Sequence, residues 1–128
     1  MHRFQCRVYY EDTDMAGIVY YANYLKFIER ARSEWVQSLG VDQAQLKENE
    51  GVVFAVRRVE ADYIRPAVFA DTLTVETEMK SLTPARLVLS QDVRRVGEVL
   101  FQAEVTLVAL TPQGKPTRLP NVFRQFIA

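Results

Sequence analysis

One long amphipathic helix, followed by almost nothing but strand-like segments, is the feature that most limits how this chain can fold. From Tyr20 to Leu39, the residues Tyr21, Leu25, Ile28, Ala31, Trp35 and Leu39 recur at spacings of three and four, which sets them on one helical face. Lys26, Glu29, Arg30, Arg32 and Glu34 fall mostly off that face. Asn23 suits an N-cap, and Gly40 sits where a left-handed C-terminal residue belongs. A short helical turn is expected from Asp42 to Glu48.

From Val52 onward the period changes to two. Val52 to Ile64 reads as a long strand whose phase breaks near Arg57-Arg58, predicting a bulge, and Pro66 ends it. Thr72 to Lys80 alternates, with Leu73, Val75, Thr77 and Met79 on one face. Arg86 to Val96 is the next strand, and Gly97-Glu98 suits a two-residue hairpin turn. Val99 to Leu110 puts Val99, Phe101, Ala103, Val105, Leu107 and Ala109 on one side, and Thr111 to Gly114 is a turn. Phe4 to Tyr10 reads as a strand ahead of the helix, and Asn121 to Ile127 as a strand remnant or short helix. Short connections make neighbouring strands antiparallel. A sheet with one apolar face needs a cover, and only one helix is long enough to supply it. The expected fold is α+β: a single domain over residues 1–128, with an antiparallel sheet of about five strands wrapped around one long central helix. A chain of 128 residues can bury such a core without disulfide or metal.

Composition matters mainly for the chemistry it excludes. The only histidine is His2, near a terminus, so Ser–His–Asp, Cys–His and histidine-based zinc sites are disfavoured. The lone Cys6 cannot form an internal disulfide and reads as a small, partly buried strand residue. No Gly-rich phosphate loop is present. Lys plus Arg and Asp plus Glu both number 16, a balance unlike that of a general nucleic-acid binder. No apolar run approaches the roughly 18 residues a membrane span needs, and no signal peptide is evident, so a cytoplasmic protein without membrane insertion is expected. Hydrolytic chemistry would fall to carboxylates, backbone dipoles and tyrosine.

The segment from Tyr9 to Tyr24 is where such chemistry could reside. It sets Asp12 and Asp14 beside a Gly-containing bend that feeds the helix. The first N–H groups of a helix have no intrahelical acceptor and favour negative charge. A carboxylate facing an electrophile held there has what acyl hydrolysis requires. Taken alone, an Asp-x-Asp before a helix more often terminates a strand and satisfies turn amides.

The string Asp12-Thr-Asp14-x-x-Gly17-x-Val19-Tyr20-Tyr21-x-x-Tyr24, followed by Glu29-Arg30-Ala31-Arg32, resembles the signature of the 4-hydroxybenzoyl-CoA thioesterase-like hotdog family. Val56-Arg57 and Tyr63-x-x-Pro66-Ala67-x-x-Asp71-x-Leu73 extend the likeness over nearly the whole chain, toward the Tol-Pal-associated acyl-CoA thioesterase (YbgC-like) branch. The resemblance implies an acyl-CoA thioesterase with Asp14 as catalytic carboxylate, attacking as nucleophile or activating water as general base. It implies that Gly17 permits the bend and close approach of the thioester, and that the backbone N–H of Tyr21 polarises its carbonyl. Some relatives carry histidine where this chain has Tyr21, so the Tyr21 side chain is left between orienting the acyl group and packing. Tyr20 and Tyr24 are expected at the substrate. Arg86 and Arg118, then Arg57, are expected at the coenzyme phosphates. No metal is implied, and no cofactor, since coenzyme A is part of the substrate. The implied carrier is CoA or acyl-carrier protein. The implied assembly is a homodimer or homotetramer with Asp14 facing a neighbour. A non-catalytic acyl-CoA or acyl-carrier-protein binding module on the same fold is the main alternative. A dehydratase would need a better-placed histidine, and a scaffold for phospholipid-synthesis or envelope proteins is a further possibility.

Overall fold

A computed structural model describes residues 1–126, with side chains described through Phe123. Its elements are β1 (His2–Arg7), α1 (Asn23–Ser38), α2 (Gln43–Glu50), β2 (Val53–Tyr63), β3 (Thr72–Leu82), β4 (Arg86–Arg95), β5 (Glu98–Leu110) and β6 (Pro116–Thr117). Short 3-10 turns occupy Tyr10–Asp12 and Asn121–Phe126, so the last expected element is helical, and Ile127 lies outside the described residues. The strands form one antiparallel sheet in the order β1-β3-β4-β5-β2, with β6 paired to the end of β5. This is the expected α+β hotdog arrangement, five long strands around one long helix. Among the described residues, no helix is long and apolar enough to cross a membrane.

Alternation on the central strands does what its period requires. Leu73, Val75, Leu87, Leu89, Val93, Phe101 and Val105 are fully buried on the concave face and pack with Phe27, Ile28, Ala31 and Trp35 of α1. Each such side chain contributes about 1.5–3 kcal/mol relative to exposure. The buried stripe of α1 differs from the expected one. Tyr24, Phe27 and Val36 belong to it, whereas Tyr21 and Leu25 are exposed. The helix starts at Asn23 rather than Tyr20, so the chain turns before the first expected face residue is helical. Asn23 is not the N-cap either. Ala22 holds that position, and the buried Asn23 Nδ2 donates to the Asp12 carbonyl at 2.9 Å. Gly40, just past the helix, has φ +86° as expected.

Three other expectations shift. The first strand ends at Arg7, because Tyr10–Asp12 coils into a 3-10 turn. The β4–β5 hairpin turns at Val96-Gly97, one residue earlier than expected, with Arg95 facing Glu98 across it. Both loop residues have positive φ, +58° and +121°, as a type I′ turn requires. The β2 bulge does fall between Val56 and Arg58, but Arg57 is exposed and makes no ion pair among the described residues. The extra residue of the bulge turns its side chain outward.

A polar knot lies inside the core. Gln91 is fully buried, and its Nε2 donates to the Ile28 carbonyl at 3.0 Å and to Thr77 Oγ1 at 2.9 Å. Its Oε1 accepts from Arg32 Nη1 at 3.1 Å. This knot fixes α1 on β3 and β4. It also places Arg32 where burial lowers its guanidinium pKa, partly offset by Glu29.

Candidate active site

The site begins where β1 ends. Asp12 is buried, and its Oδ2 accepts the Tyr9 N–H at 2.8 Å. Its carbonyl accepts the Tyr20 N–H at 2.9 Å as well as the Asn23 side chain. Asp12 therefore ties both ends of the intervening loop together, and its carboxylate is occupied. Asp14 is placed differently. Its N–H donates to the Ile18 carbonyl at 2.9 Å, its carbonyl accepts the Gly17 N–H at 3.0 Å, and its Oδ1 accepts the Ala16 N–H at 2.9 Å. Oδ2 has no donor among the described residues, and the side chain is exposed. Gly17 closes this turn at φ +79°, and a Cβ added there would meet nothing within 4 Å. Backbone conformation, rather than crowding by the protein, calls for glycine here.

Tyr21 lies two residues before α1 begins. Its N–H has no acceptor among the described residues, and its carbonyl accepts the Tyr63 hydroxyl at 2.8 Å. Asp14 and Tyr21 line a single cavity of about 360 Å³, with Ile18, Val19, Tyr20 and Tyr24. Its other wall is Tyr63, Ile64, Arg65 and Pro66. The volume falls within the usual range of small-molecule sites. The second quoted motif builds that wall. The Ala67 N–H donates to the Tyr24 hydroxyl at 3.0 Å, and the Ala67 carbonyl accepts the Val19 N–H at 2.9 Å. Asp71 Oδ2 accepts from the Val68 N–H at 2.9 Å and from Arg95 Nη1 at 2.8 Å. Aromatic rings complete the enclosure: Tyr24 stacks on Phe101 at 4.9 Å, and Tyr63 meets it edge-on at 5.6 Å. Burial raises the Tyr24 and Tyr63 phenol pKa values, so both stay protonated.

Tyr20, Tyr21, Tyr24, Gly17 and Asp14 thus gather around one site, but the three arginines do not join them within one chain. Tyr63 and Val93 both face Phe101, whereas Arg86 faces Val108. Seven residues of strand separate those points, about 24 Å. Arg118 lines a second cavity of about 310 Å³ at that far end, with Leu82, Pro84 and Phe123. Sequence reasoning left Tyr63, Ile64, Arg65 and Pro66 out of the site. Tyr63 and Pro66 stood in the quoted motif, and that was the signal available. Cys6 is no competing nucleophile: burial pushes its thiol up to about 11, with Arg30 pulling it down and Asp12 adding to the rise. Among the described residues, no cluster of His, Cys, Asp or Glu could hold a metal ion.

The sequence profile of the thioesterase superfamily matches residues 16–102. The chain belongs to the thioesterase superfamily. The acyl-CoA thioesterase YbgC of Helicobacter pylori strain J99 is 47% identical to this thioesterase, over 97% of this chain and 98% of its own. The crystal structure of a probable thioesterase from Bartonella henselae is 39% identical, with a TM-score of 0.90, over 93% of this chain and 98% of that one. A 4-hydroxybenzoyl-CoA thioesterase mutant, solved with 4-hydroxybenzoyl-CoA, shares the fold at a TM-score of 0.91 and 22% identity, over 98% and 97% of the two chains. The thioesterase is accordingly a thioester hydrolase.

Proposed function

We propose that this thioesterase hydrolyses acyl-CoA to free acid and CoA, with Asp14 as its catalytic carboxylate. One observation carries the reading: Asp14, whose Oδ2 has no donor among the described residues, and Tyr21, whose N–H has no acceptor among them, line the same cavity, just ahead of the positive end of α1. A thioester carbonyl held by that N–H gains stabilisation as its oxygen becomes negative. Asp14 then attacks the carbonyl carbon, giving a mixed anhydride that water cleaves, or takes the proton of an attacking water. The Ala16 N–H bond to Oδ1 steadies the carboxylate in either case. The acyl-CoA activity of relatives across nearly the whole chain supports the substrate class. Coenzyme A enters as part of the substrate, and no other cofactor is needed. The cytoplasm, which holds the acyl-CoA pool, is the expected compartment. Acyl-carrier protein is the alternative carrier.

The working unit is at least a homodimer. β2 is an edge strand with exposed Val56, Val59 and Tyr63, a combination that calls for pairing. Antiparallel pairing of β2 with its symmetry mate brings the Tyr63 end of one copy to the Val53 end of the other. The end bearing Arg86 and Arg118 then approaches the neighbour's Asp14.

The test is thiol release from a panel of acyl-CoAs by wild type, Asp14→Asn and Asp12→Asn. Expected are an active wild type, a loss of about a thousandfold for Asp14→Asn, and an Asp12→Asn variant near wild type while folded. Saturable acyl-CoA binding with no turnover by any form would replace this reading with a binding module.

A further inference from the structure

Four tyrosines line the Asp14 cavity, and their hydroxyls are not equivalent. Tyr20 and Tyr21 are 45% and 62% exposed, so solvent serves them. The proton of Tyr63 is already given to the Tyr21 carbonyl. Tyr24 is 3% exposed, and its oxygen accepts the Ala67 N–H at 3.0 Å. A phenol has one proton to donate, and among the described residues nothing accepts this one. The ring cannot swing away: it is stacked on Phe101 and held edge-on by Phe27 at 6.0 Å and Tyr63. Side chains in a helix lean toward its N-terminus, and Tyr24 stands three residues after Tyr21. That lean is toward Tyr21, and both residues line the Asp14 cavity.

We propose that the Tyr24 phenol donates a hydrogen bond to the thioester carbonyl oxygen, beside the Tyr21 N–H, as the second donor to the oxyanion. The inference rests on the reading of Asp14 and Tyr21 given above. As the attacking oxygen bonds to the carbonyl carbon, the C=O π pair moves onto the carbonyl oxygen. When the adduct collapses, that pair returns and the C–S bond breaks, its electrons leaving with CoA as thiolate. Tyr24 keeps its proton through both events, and its bond is strongest while the oxygen is negative. The burial that raises its pKa keeps it a donor throughout the neutral range. Ala67 sets the direction of that donation by occupying an acceptor site on the phenol oxygen.

Steady-state kinetics on a hydrolysed acyl-CoA test this with two kinds of variant. Tyr24→Phe keeps the ring and removes the hydroxyl, and kcat should fall about a hundredfold with KM little changed. Fluorinated tyrosines placed at position 24 keep the hydroxyl and its Ala67 contact while acidifying the phenol. The alkaline limb of the kcat profile should then move to lower pH in step with the acidity of the phenol. A purely structural tyrosine would not move that limb. A stationary limb overturns the proposal, even where Tyr24→Phe fails to fold. So does a Tyr24→Phe enzyme within about threefold of wild-type kcat, since a lost oxyanion donor costs far more. If Asp14→Asn is inactive while either of those results is found, only the Tyr24 role falls. If wild type hydrolyses no thioester, the Asp14 reading falls first and takes Tyr24 with it.

Discussion

Asp12 and Asp14 are two residues apart, yet they answer to different physics. Asp12 is buried and caps the Tyr9 N–H, so Asp12→Ala leaves a donor unmet and should cost about 1–3 kcal/mol in denaturant unfolding. The folded remainder should still hydrolyse substrate, which separates it from the Asp14 variants. Cys6 provides a second check at this scale. With its pKa near 11 instead of 9.0, native thiol labelling at pH 8 should be about a hundredfold slower than in denaturant. The raised value also sets a sign. The unfolded thiol ionises first, so this group's contribution to folding is intact below pH 9 and is lost as pH rises from 9 toward 11. The stretch around Asp14 stood out because a turn, a carboxylate and a helix start lie close together, but those features alone favour an ordinary turn, and the family resemblance was what singled out Asp14. The Tyr63–Pro66 wall was not legible, because it is brought to the Asp14 segment by contacts between distant stretches of chain, such as the Ile18–Val68 bridge, the Ala67–Tyr24 bond and the Tyr63–Tyr21 bond.

At the scale of elements, periodicity identified every long strand and the helix, since burial on one face leaves a pattern in the residues themselves. The buried stripe of α1 was misplaced at its start because Asn23 joins the Asp12 turn instead of capping, which delays the helix and leaves Tyr21 outside it. The hairpin turn was misplaced because its first residue is Val96, a β-branched side chain that sequence rules do not put at φ +58°. That residue is 99% exposed, so nothing is lost by changing it. Val96→Asn should raise stability by about 1 kcal/mol, read as a higher denaturation midpoint at unchanged m-value. Gln91 gave no sequence signal, since one polar residue in a strand is ordinary until its neighbours are known. Gln91→Leu strands Arg32 and Thr77 and should cost about 2–4 kcal/mol. Adding Thr77→Val should cost less than the two single effects summed, because the second change removes a group the first left unpaired.

The whole molecule raises the question of where the arginines belong. Within one chain, Arg86 and Arg118 stand at the far end of the sheet from Asp14. If they serve the coenzyme, they serve the neighbour's site, and that arrangement has a genetic signature. Asp14→Asn and Arg118→Ala should each be impaired as pure assemblies. In a mixed dimer, one site carries both defects, while the other joins an intact Asp14 to an intact Arg118. Random reassociation of equal amounts makes half the dimers mixed, each with one sound site in two. Activity should therefore recover to roughly a quarter of wild type after the variants are unfolded and refolded together. A site built within one chain cannot be repaired this way, because every chain then carries a defect in its own site. Activity no greater than the mean of the two parents would return Arg118 to the surface of its own subunit and leave the coenzyme to Arg65, which already lines the Asp14 cavity.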